Sequence, residues 1–380
     1  MIQRKAKQEL LTLANQFKAV VVIGPRQSGK TTLVKDAFPD KPYVNFENPD
    51  VRLFASEDPR GFLANYQDGA IFDEVHRSPD MFSYLQEILD NQKEAGKYIL
   101  TGSNNFLLQE NISQSLAGRV AYLQLLPLSI DEIKDIPQST NQLMYNGGYP
   151  AIYDQLIPAT KWYANYIQTY VERDVRQILN IGDLNKFEKL LRLCAGRIGQ
   201  LLNMSSLAVE VGVDVKTVDS WLSVLEAGFV LFRLQPYYEN YNKRIVKMPK
   251  LYFYDIGLAW ALVGINDPDQ IALHPFRGSF FENLVILEVK KQFLNRGETH
   301  NLYFWRDSNG SEIDLLIKQS GQIQPVEIKS GQTIIQGYFK GLVFWNKITN
   351  TSGGTVIYDG IHRQNRSSGF SVVPLREMRF

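Results

Sequence analysis

The stretch Ala19-Val20-Val21-Val22-Ile23-Gly24-Pro25-Arg26-Gln27-Ser28-Gly29-Lys30-Thr31-Thr32 decides the architecture of the N-terminal part of this chain. Its first five residues are apolar and mostly β-branched, which is typical of a strand buried on both faces in a parallel sheet. The next eight fit the pattern G-x-x-x-x-G-K-[ST], whose glycines let backbone amides turn inward around phosphate oxygens. A helix-compatible run follows, so the predicted order is strand, phosphate loop, helix.

The same stretch predicts which residues contact a nucleotide. Lys30 has the reach for the β- and γ-phosphates, and the Thr31 hydroxyl is a ligand for Mg²⁺. The helix that begins here adds the positive end of its dipole to the same anion site. The sequence therefore predicts a site for ATP and Mg²⁺. The residues expected to line it are Gly24, Pro25, Arg26, Gln27, Ser28, Gly29, Lys30, Thr31 and Thr32.

A second apolar run, Ala70-Ile71-Phe72, ends in two carboxylates, Asp73 and Glu74. After a phosphate loop, such a strand predicts that Asp73 holds Mg²⁺ through its water shell and that Glu74 polarises the attacking water. The alternative interpretation is a solvated turn that follows a strand. Hydrolysis of ATP is the reaction that this pair predicts.

Two further positions complete the predicted catalytic set. Ser103 and Asn104 follow the strand Tyr98-Ile99-Leu100, and either can contact the γ-phosphate or the lytic water. The sequence does not choose between them, and Ser103 can instead cap a helix. Arg119 precedes the last predicted strand, where it can act on the γ-phosphate of a neighbouring subunit. Its alternative interpretation is an ordinary surface arginine.

Together these motifs resemble bacterial and archaeal AAA+ ATPases with a long C-terminal half. The resemblance implies the AAA+ sheet, a ring oligomer such as a hexamer, and a setting related to DNA. The residues that carry it in the first part are the loop from Gly24 to Thr31, Phe72-Asp73-Glu74, Leu100-Thr101-Gly102-Ser103 and Leu116-Ala117-Gly118-Arg119. Gly147-Gly148-Tyr149-Pro150, Glu172-Arg173-Asp174 and Tyr254-Asp255-Ile256-Gly257-Leu258 extend it through most of the chain.

The fold class predicted for the chain is α/β with three parts. An AAA+ P-loop parallel sheet is expected at 1–135, a helical and winged-helix-like region at 136–235, and an α/β nuclease-like domain at 236–380. The strands predicted for the first part are Ala19–Ile23, Tyr43–Phe46, Ala70–Asp73, Lys97–Thr101 and Ala121–Leu125.

The middle part contains a predicted helix–turn–helix. Helical spacing runs from Ser206 to Val211, Gly212 suits a tight turn, and Thr217–Leu225 repeats apolar residues on one face. A strand at Phe229–Leu234 would begin a wing. The second helix carries Asp219 and other acids, so we expect it to pack or form a ring contact rather than read DNA sequence.

The C-terminal part has a second constellation of charged residues. Asn309-Gly310 between two alternating runs predicts a hairpin, and a further strand follows at Pro325–Lys329. Glu282 on an upstream helix, Asp314, and Glu327 two residues before Lys329 resemble the PD-(D/E)XK nuclease core. That resemblance implies a Mg²⁺ shared by Asp314 and Glu327 and completed by Glu282, with Lys329 orienting or deprotonating water. Alternating charges on a solvated strand face explain the pattern equally well.

Composition bounds the remaining possibilities. Forty-one Lys and Arg against 40 Asp and Glu give a net charge of +1, which neither demands nor excludes a nucleic-acid partner. The lone Cys194 excludes an intrachain disulfide and favours a cytoplasmic setting, and four scattered histidines argue against zinc. No apolar run approaches the ~20 residues that span a bilayer, so no membrane partner is expected.

The leading hypothesis is a Mg²⁺-dependent ATPase that works on DNA as a homo-oligomer, by remodelling, branch migration or nuclease-coupled processing. Its rival is a nucleotide-gated regulatory or defence-type switch, in which the nuclease-like domain is inactive and serves docking.

Overall fold

A computed structural model describes residues 2–102, 116, 118–171, 183–238 and 246–380. The chain divides into two compact units. The first comprises Met1–Leu128 with the short segments Ala227–Phe229 and Leu294–Glu298, and the second comprises Ser129–Glu226, Val230–Phe293 and Thr299–Phe380. The finer division into three domains stays a prediction.

A five-stranded parallel sheet forms the centre of the first unit. Its strands are β1 (Ala19–Ile23), β2 (Tyr43–Asn45), β3 (Ala70–Asp73), β4 (Tyr98–Gly102) and β5 (Val120–Gln124). Their order across the sheet is β2-β3-β4-β1-β5, and all neighbours are parallel. Each predicted strand is present, with ends shifted by at most one residue. Because β4 lies between β1 and β3, the residues that follow these three strands meet at one edge of the sheet.

Helices pack on both faces of this sheet, which explains why β1 is apolar throughout. They are α1 (Lys7–Gln16), α2 (Lys30–Ala37), α3 (Pro49–Glu57), α4 (Pro59–Ala64) and α5 (Met81–Asn91), with a 3₁₀ turn at Val75–Arg77. Leu10 of α1 and Leu33 of α2 join the same buried cluster as Val20 and Val22. On the other face, Phe72 packs against aromatic residues that include Phe62 of α4 and Tyr98 of β4.

An eight-stranded mixed sheet organises the second unit, in the order β12-β13-β11-β10-β9-β8-β6-β7. Its strands are β6 (Leu231–Pro236), β7 (Lys250–Phe253), β8 (Leu302–Arg306), β9 (Glu312–Gln319), β10 (Gln322–Lys329), β11 (Gly354–Tyr358), β12 (Gln364–Asn365) and β13 (Phe370–Pro374). The antiparallel pairs are β6/β7, β8/β9, β9/β10 and β12/β13, whereas β6/β8, β10/β11 and β11/β13 are parallel. The predicted Asn309-Gly310 hairpin is confirmed, since β8 and β9 flank it as an antiparallel pair.

The described helices of the second unit fall between and around these strands. They are α6 (Thr140–Asn146), α7 (Pro150–Asp154), α8 (Ala159–Tyr166), α9 (Leu184–Ala195), α10 (Met204–Val211), α11 (Val215–Ala227), α12 (Ile256–Leu262), α13 (Arg277–Asn295) and α14 (Lys340–Thr349). A π-helical turn continues α8 over Ile167–Val171. Short 3₁₀ turns lie at Ile130–Ile133, Pro268–Ile271, Gln336–Phe339 and Leu375–Glu377.

The predicted helix–turn–helix is confirmed as α10, a turn and α11. Gly212 ends α10 in the left-handed region, with a φ of 81°, which a residue with a side chain rarely adopts. The antiparallel pair β6/β7 follows, as it does in a winged helix, and β6 also pairs with β8. The winged-helix assignment stays a prediction.

Helix α13 carries polar side chains into the core of the second unit, and each has a partner. The Asn283 amide donates to the carbonyl of Phe253 and accepts from its N–H, so it pairs with the backbone of the edge strand β7. The buried Glu288 accepts from the Ile130 N–H and from Lys291. Satisfied in this way, buried polar groups fix the position of the helix rather than weaken it.

Candidate functional site

The phosphate loop takes a conformation that its sequence allows because of its glycines. Gly24 has a φ of 152°, and a methyl group in place of its hydrogen would overlap the carbonyl of Leu125. Gly29 has a φ of 92° and begins α2. Gln27 also adopts a positive φ, 60°, at the exposed tip of the loop. The loop is therefore tightly folded back onto the edge of the sheet.

Lys30 is buried inside this loop. Its ammonium donates hydrogen bonds to the carbonyls of Gly24, at 3.0 Å, and Pro25, at 2.8 Å. Burial lowers the pKa of Lys30 to about 8, although the nearby carboxylates of Glu74 and Asp73 oppose that shift. The Ser28 hydroxyl in the same loop is buried and has no hydrogen-bond partner among the residues that the structure describes. A loop that holds both a buried ammonium and an unpaired buried hydroxyl fits a site that binds an anion.

Three hydroxyl groups converge on the Asp73 carboxylate at the end of β3. The Thr31 hydroxyl donates to it at 2.8 Å and the Tyr43 hydroxyl at 2.6 Å. The Thr101 hydroxyl, from the end of β4, donates to its other oxygen. Burial and the hydrogen bond to Asp73 raise the pKa of Tyr43, which keeps that phenol protonated. The oxygen atoms of Thr31 and Asp73 are donors that Mg²⁺ accepts, so these two residues fit the predicted metal site.

Glu74 stands in an unusual backbone conformation next to this carboxylate. Its φ of 55° and ψ of 39° lie in the left-handed region, which is costly for a residue with a side chain. Its N–H donates to the Thr101 hydroxyl at 3.2 Å, and its carboxylate lies 3.2 Å from Nδ1 of His76. Burial lowers the pKa of His76, so the imidazole is held neutral beside the carboxylate.

The structure thus brings Lys30, Thr31, Asp73 and Glu74 together, and it adds residues that the sequence analysis missed. Thr101 lies two positions before the predicted Ser103, at the end of the strand between β1 and β3. Its position after Leu100 was the available clue. Tyr43 gave no such clue, because it begins a short strand remote from both motifs. Ser103 and Asn104 lie outside the described residues, as does Glu172-Arg173-Asp174.

Other predicted loop residues lie around the entrance to the site. Arg26 and Arg77 both approach the carboxylate of Glu47, at 3.6 and 3.7 Å. Pro25 is buried, whereas Gln27 and Thr32 are exposed. Arg26 and Arg77 therefore add positive charge beside the phosphate loop.

Arg119 lies at the opposite edge of the same sheet. It immediately precedes β5, which is parallel to β1, whereas the phosphate loop follows the end of β1. Its guanidinium forms a bidentate ion pair with Asp90, with N–O distances of 2.5 and 2.9 Å. This hydrogen bonding lowers the pKa of Asp90. Arg119 is therefore directed away from the nucleotide site of its own chain.

The nuclease-like residues of the second unit are close together but already paired. Asp314 of β9 and Glu327 of β10 lie on adjacent antiparallel strands, and the Lys329 ammonium contacts them at 2.9 and 2.5 Å. Burial, the neighbouring Asp314 charge and a hydrogen bond with Asp314 raise the pKa of Glu327 to about 9. Glu282 of α13 accepts from Lys250 at 3.0 Å and from the Tyr252 hydroxyl.

These pairings do not fit a divalent cation. In the described part of the chain, no group of three or more His, Cys, Asp or Glu side chains is arranged to hold a metal ion. Lys250 also contacts Glu312, a carboxylate that the sequence analysis did not include. Lysine ammonium groups therefore occupy the predicted Mg²⁺ site at Glu282, Asp314 and Glu327.

Two motifs of the second unit form a hydrogen-bond network. Asp255 is buried, begins α12 by accepting from the Leu258 N–H, and accepts from the Gly148 N–H and the Tyr163 hydroxyl. Burial raises the pKa of Asp255 despite these bonds. The Gly147–Pro150 and Tyr254–Leu258 motifs are thus joined by one carboxylate, which is a structural role.

The acids of α11 are likewise paired. Asp219 and Glu226 both contact Arg233 of β6. Glu210 of α10 pairs with Arg197. The acids expected to repel DNA are thus paired with arginines, and the expectation that this helix packs or forms a ring contact stays a prediction.

In the described residues, the helices are too short or too polar to cross a membrane.

Three family models match successive parts of the chain. Residues 16–134 match a model described as an AAA domain. Residues 137–269 and 277–378 match models described as domains of unknown function, DUF8612 and DUF4143. The first match covers the phosphate loop, Asp73, Glu74 and Arg119.

Several known proteins are similar in sequence to this chain over most of its length. The uncharacterized protein Rv2008c of Mycobacterium tuberculosis is 29% identical over 335 residues, which cover 87% of this chain and 74% of that protein. The uncharacterized protein MJ1544 of Methanocaldococcus jannaschii is 24% identical over 348 residues, covering 81% of this chain and 74% of its own.

Solved structures show weaker likeness. The Walker-type ATPase PABY2304 of Pyrococcus abyssi aligns with a TM-score of 0.46 and 12% identity, covering 69% of this chain and 96% of that one. AMPPCP-bound DnaA from Aquifex aeolicus aligns with a TM-score of 0.30 and 14% identity, covering 58% and 85%. Scores this low support no conclusion about this chain.

The assignment of the N-terminal unit rests on the sequence motif, the geometry and the family match together. The motif lies between a buried strand and a helix, its threonine contacts the carboxylate that ends β3, and the matched model spans the whole sheet. The match of residues 16–134 to the AAA domain model, together with the motif and its geometry, supports a P-loop ATPase of the AAA type in the N-terminal unit.

Proposed function

We propose that this chain binds ATP with Mg²⁺ in its N-terminal unit and hydrolyses it. The observation that supports this most directly is the convergence on Asp73. Its carboxylate accepts hydroxyl groups from Thr31 of the phosphate loop and Thr101 of β4, and Glu74 follows it in the chain. Residues from three separate segments are thus gathered where the γ-phosphate and its attacking water would lie.

Each residue has a role in this proposal. Lys30 would exchange the carbonyls of Gly24 and Pro25 for phosphate oxygens, which are better partners for an ammonium. The Thr31 hydroxyl and, through water, Asp73 would hold Mg²⁺, which when bound neutralises charge on the phosphate oxygens. The Glu74 carboxylate would accept a proton from the attacking water; Thr101 fixes the Glu74 backbone by accepting from its N–H, and His76 lies beside the carboxylate.

Release of inorganic phosphate from ATP tests the proposal. Lys30→Ala should abolish it, and Glu74→Gln should abolish turnover while a fluorescent ATP analogue still binds. Lys7→Ala is the control, because this lysine pairs with Asp36 on the surface of the same unit and should not affect the rate. Phosphate release that survives Lys30→Ala unchanged would show that the hydrolysis belongs to another site or a contaminant.

We also propose that the chain works as an oligomer, with a ring such as a hexamer as the expected form. The support is the position of Arg119, at the sheet edge opposite the phosphate loop. An arginine so placed cannot serve the nucleotide of its own chain but can serve that of a neighbour. This role rests on the resemblance to ring-forming ATPases and on the geometry of one unit.

DNA is the substrate that we propose for the ATPase cycle, on the basis of the same resemblance. The sharpest single assay is the rate of ATP hydrolysis with single-stranded, duplex and four-way-junction DNA. Stimulation by one of these forms, lost with Lys30→Ala, would support a motor acting on DNA. A rate indifferent to every form would favour the nucleotide-gated switch.

A specific observation favours the docking hypothesis for the nuclease-like domain. Its carboxylates are paired with Lys250 and Lys329, whereas a cutting site requires them to be open to a metal ion. Cutting is tested by metal-dependent nicking of plasmid DNA. Nicking lost in both Asp314→Ala and Lys329→Ala would restore the cutting hypothesis; equal nicking by both variants would indicate contamination.

A further inference from the structure

The acidic cluster of the second unit consists of Glu282, Glu312, Asp314 and Glu327. These carboxylates come from α13, β9 and β10; Glu327 is buried and the other three are partly buried. Ionised carboxylates held this closely repel one another unless positive charge lies between them. The structure supplies that charge from the protein itself.

Lys250, the first residue of β7, lies deepest in the cluster. Its side chain is 3% exposed, and its ammonium contacts Glu282 at 3.0 Å and also Glu312. The ring of Phe304 lies on another side of the ammonium, 5.4 Å away. These two ion pairs place a positive charge among the acids of the cluster.

The other two carboxylates of the cluster are also paired with a lysine. Lys329 spans Asp314 and Glu327, and the Ile328 N–H donates to Asp314 at 2.7 Å. Gly341 of α14 packs so closely on the Glu327 carboxylate that a methyl group there would overlap it. Little space is left around Glu327 for an ion with its own water shell.

We infer that Lys250 is the resident cation of this cluster and replaces the divalent ion that the nuclease-like sequence pattern implies. A divalent ion placed among the same carboxylates would lie beside a buried ammonium, and their repulsion would oppose binding. The unsubstituted chain therefore binds neither Mg²⁺ nor Mn²⁺ at this cluster. This inference does not depend on ATP hydrolysis by the first unit.

Thermal unfolding and calorimetry with MnCl₂, without nucleotide, test the inference. Every protein carries Thr31→Ala, so that the phosphate loop adds no metal binding. In this background, 1 mM MnCl₂ should shift the midpoint by less than about 1 °C and give no calorimetric heat. Lys250→Met should lower the midpoint, because Glu282 loses its cation and Glu312 keeps only Arg306, and Mn²⁺ should restore several degrees of it.

Two further variants locate the effect. Adding Glu282→Gln to Lys250→Met should remove the restoration by Mn²⁺. Lys290→Met is the matched control: it removes another buried lysine of the same unit, whose ammonium lies over the rings of Phe232 and Tyr254 rather than between carboxylates. Mn²⁺ should not stabilise that variant.

The protein that carries only Thr31→Ala still tests the inference if Lys250→Met does not fold. Mn²⁺ binding by the background protein that is lost with Glu282→Gln or Asp314→Asn would overturn the inference, because the cluster would then be a metal site with Lys250 present. A folded Lys250→Met variant that Mn²⁺ leaves unchanged would overturn it as well, since removing the resident ammonium should open the site.

Discussion

Thr101 joins the two acidic residues that follow β3. Its hydroxyl donates to the Asp73 carboxylate and accepts from the Glu74 N–H, so one buried side chain fixes the direction of both. Glu74 needs such support because its backbone lies in the left-handed region. Side chains that orient catalytic groups in this way typically change rates without touching the substrate.

Thr101→Val should therefore lower kcat for ATP hydrolysis by about 10- to 100-fold and change the KM for ATP little. Valine keeps the shape of threonine but neither donates to Asp73 nor accepts from Glu74. Steady-state phosphate release measures both constants, and Thr101→Ser, which keeps the hydroxyl, should retain most of the rate. A kcat for the valine variant within twofold of the unsubstituted chain would contradict the role.

His300 gives the second unit a defined sensitivity to acid. Burial, and to a smaller extent the Lys290 ammonium, lowers the pKa of His300 to about 4 from an ordinary value of 6.5. Between these pH values the unfolded chain binds a proton that the folded chain does not. The free energy of unfolding therefore falls as the pH drops from 6.5 towards 4.

His300→Gln should remove part of that dependence. Urea unfolding at pH 7, 6 and 5 should show a smaller loss of midpoint for the variant than for the unsubstituted chain. His362→Gln is the control, because His362 is exposed and its replacement should leave the dependence as it was. Equal pH slopes for the unsubstituted chain and His300→Gln would contradict the assignment.

At the level of single residues, the sequence predicted the groups that belong to a local motif. Lys30, Thr31, Asp73 and Glu74 were found because the chemistry of each requires fixed spacing along the chain. Tyr43, Thr101, Lys250 and Glu312 were missed because their partners come from distant segments. A lysine at the start of a strand, such as Lys250, has the pattern of a surface residue, and only the packing of β7 against α13 and β9 shows otherwise.

The three central strands of the first unit, β1, β3 and β4, could be predicted because each is short, mostly apolar and buried on both faces. Such strands are continuous apolar runs rather than alternating apolar and polar residues, so the polar residues on either side mark their ends. The second unit was harder to assign. Its sheet joins β6 to β8, which lie far apart in the sequence, and no local pattern encodes that pairing.

Helix α12 contains a glycine that packs closely against a tyrosine of another helix. Gly257, its second residue, lies against the Tyr163 hydroxyl, and a methyl group there would overlap it. That hydroxyl is held by Asp255, which begins the helix, and by the carbonyl of Asn146. The tyrosine therefore cannot move aside without breaking buried hydrogen bonds.

Gly257→Ala should lower the free energy of unfolding by about 1–3 kcal/mol through overpacking. Gly278→Ala is the matched control, since Gly278 is also the second residue of a helix, α13, and its nearest neighbour would be 3.9 Å from the new methyl group. Urea unfolding should place the control within about 0.5 kcal/mol of the unsubstituted chain. If the two variants were equally stable, Tyr163 would have moved aside for the new methyl group and the prediction would be wrong.

At the scale of the whole molecule, the proposal that Arg119 serves the nucleotide of a neighbouring chain makes ATP hydrolysis depend on assembly. The phosphate loop and Arg119 lie at opposite edges of one parallel sheet. A neighbour that brings its Arg119 edge to this loop leaves its own loop open to a third subunit, and repetition of that contact closes a ring or extends a filament. Asp90 holds Arg119 within its own chain, so under this proposal assembly would exchange that ion pair for contact with phosphate.

Mixing two inactive variants tests this arrangement. Lys30→Ala lacks the phosphate-binding lysine but keeps Arg119, and Arg119→Ala keeps the lysine but loses the arginine, so each alone should release phosphate at least about 10³-fold more slowly. In an equal mixture of freely exchanging subunits, half of the chains retain Lys30 and half of their neighbours supply Arg119. About a quarter of the sites regain both groups, so the rate should recover to about a quarter of the unsubstituted value.

The control mixture pairs Lys30→Ala with Glu74→Gln. Both residues serve the nucleotide of their own chain, so no combination of these subunits rebuilds a complete site and the mixture should stay inactive. Recovery in the first mixture and none in the second requires a site shared between chains. If the first mixture released phosphate no faster than its separate components, Arg119 would act within its own chain or not at all, and its ion pair with Asp90 would be structural.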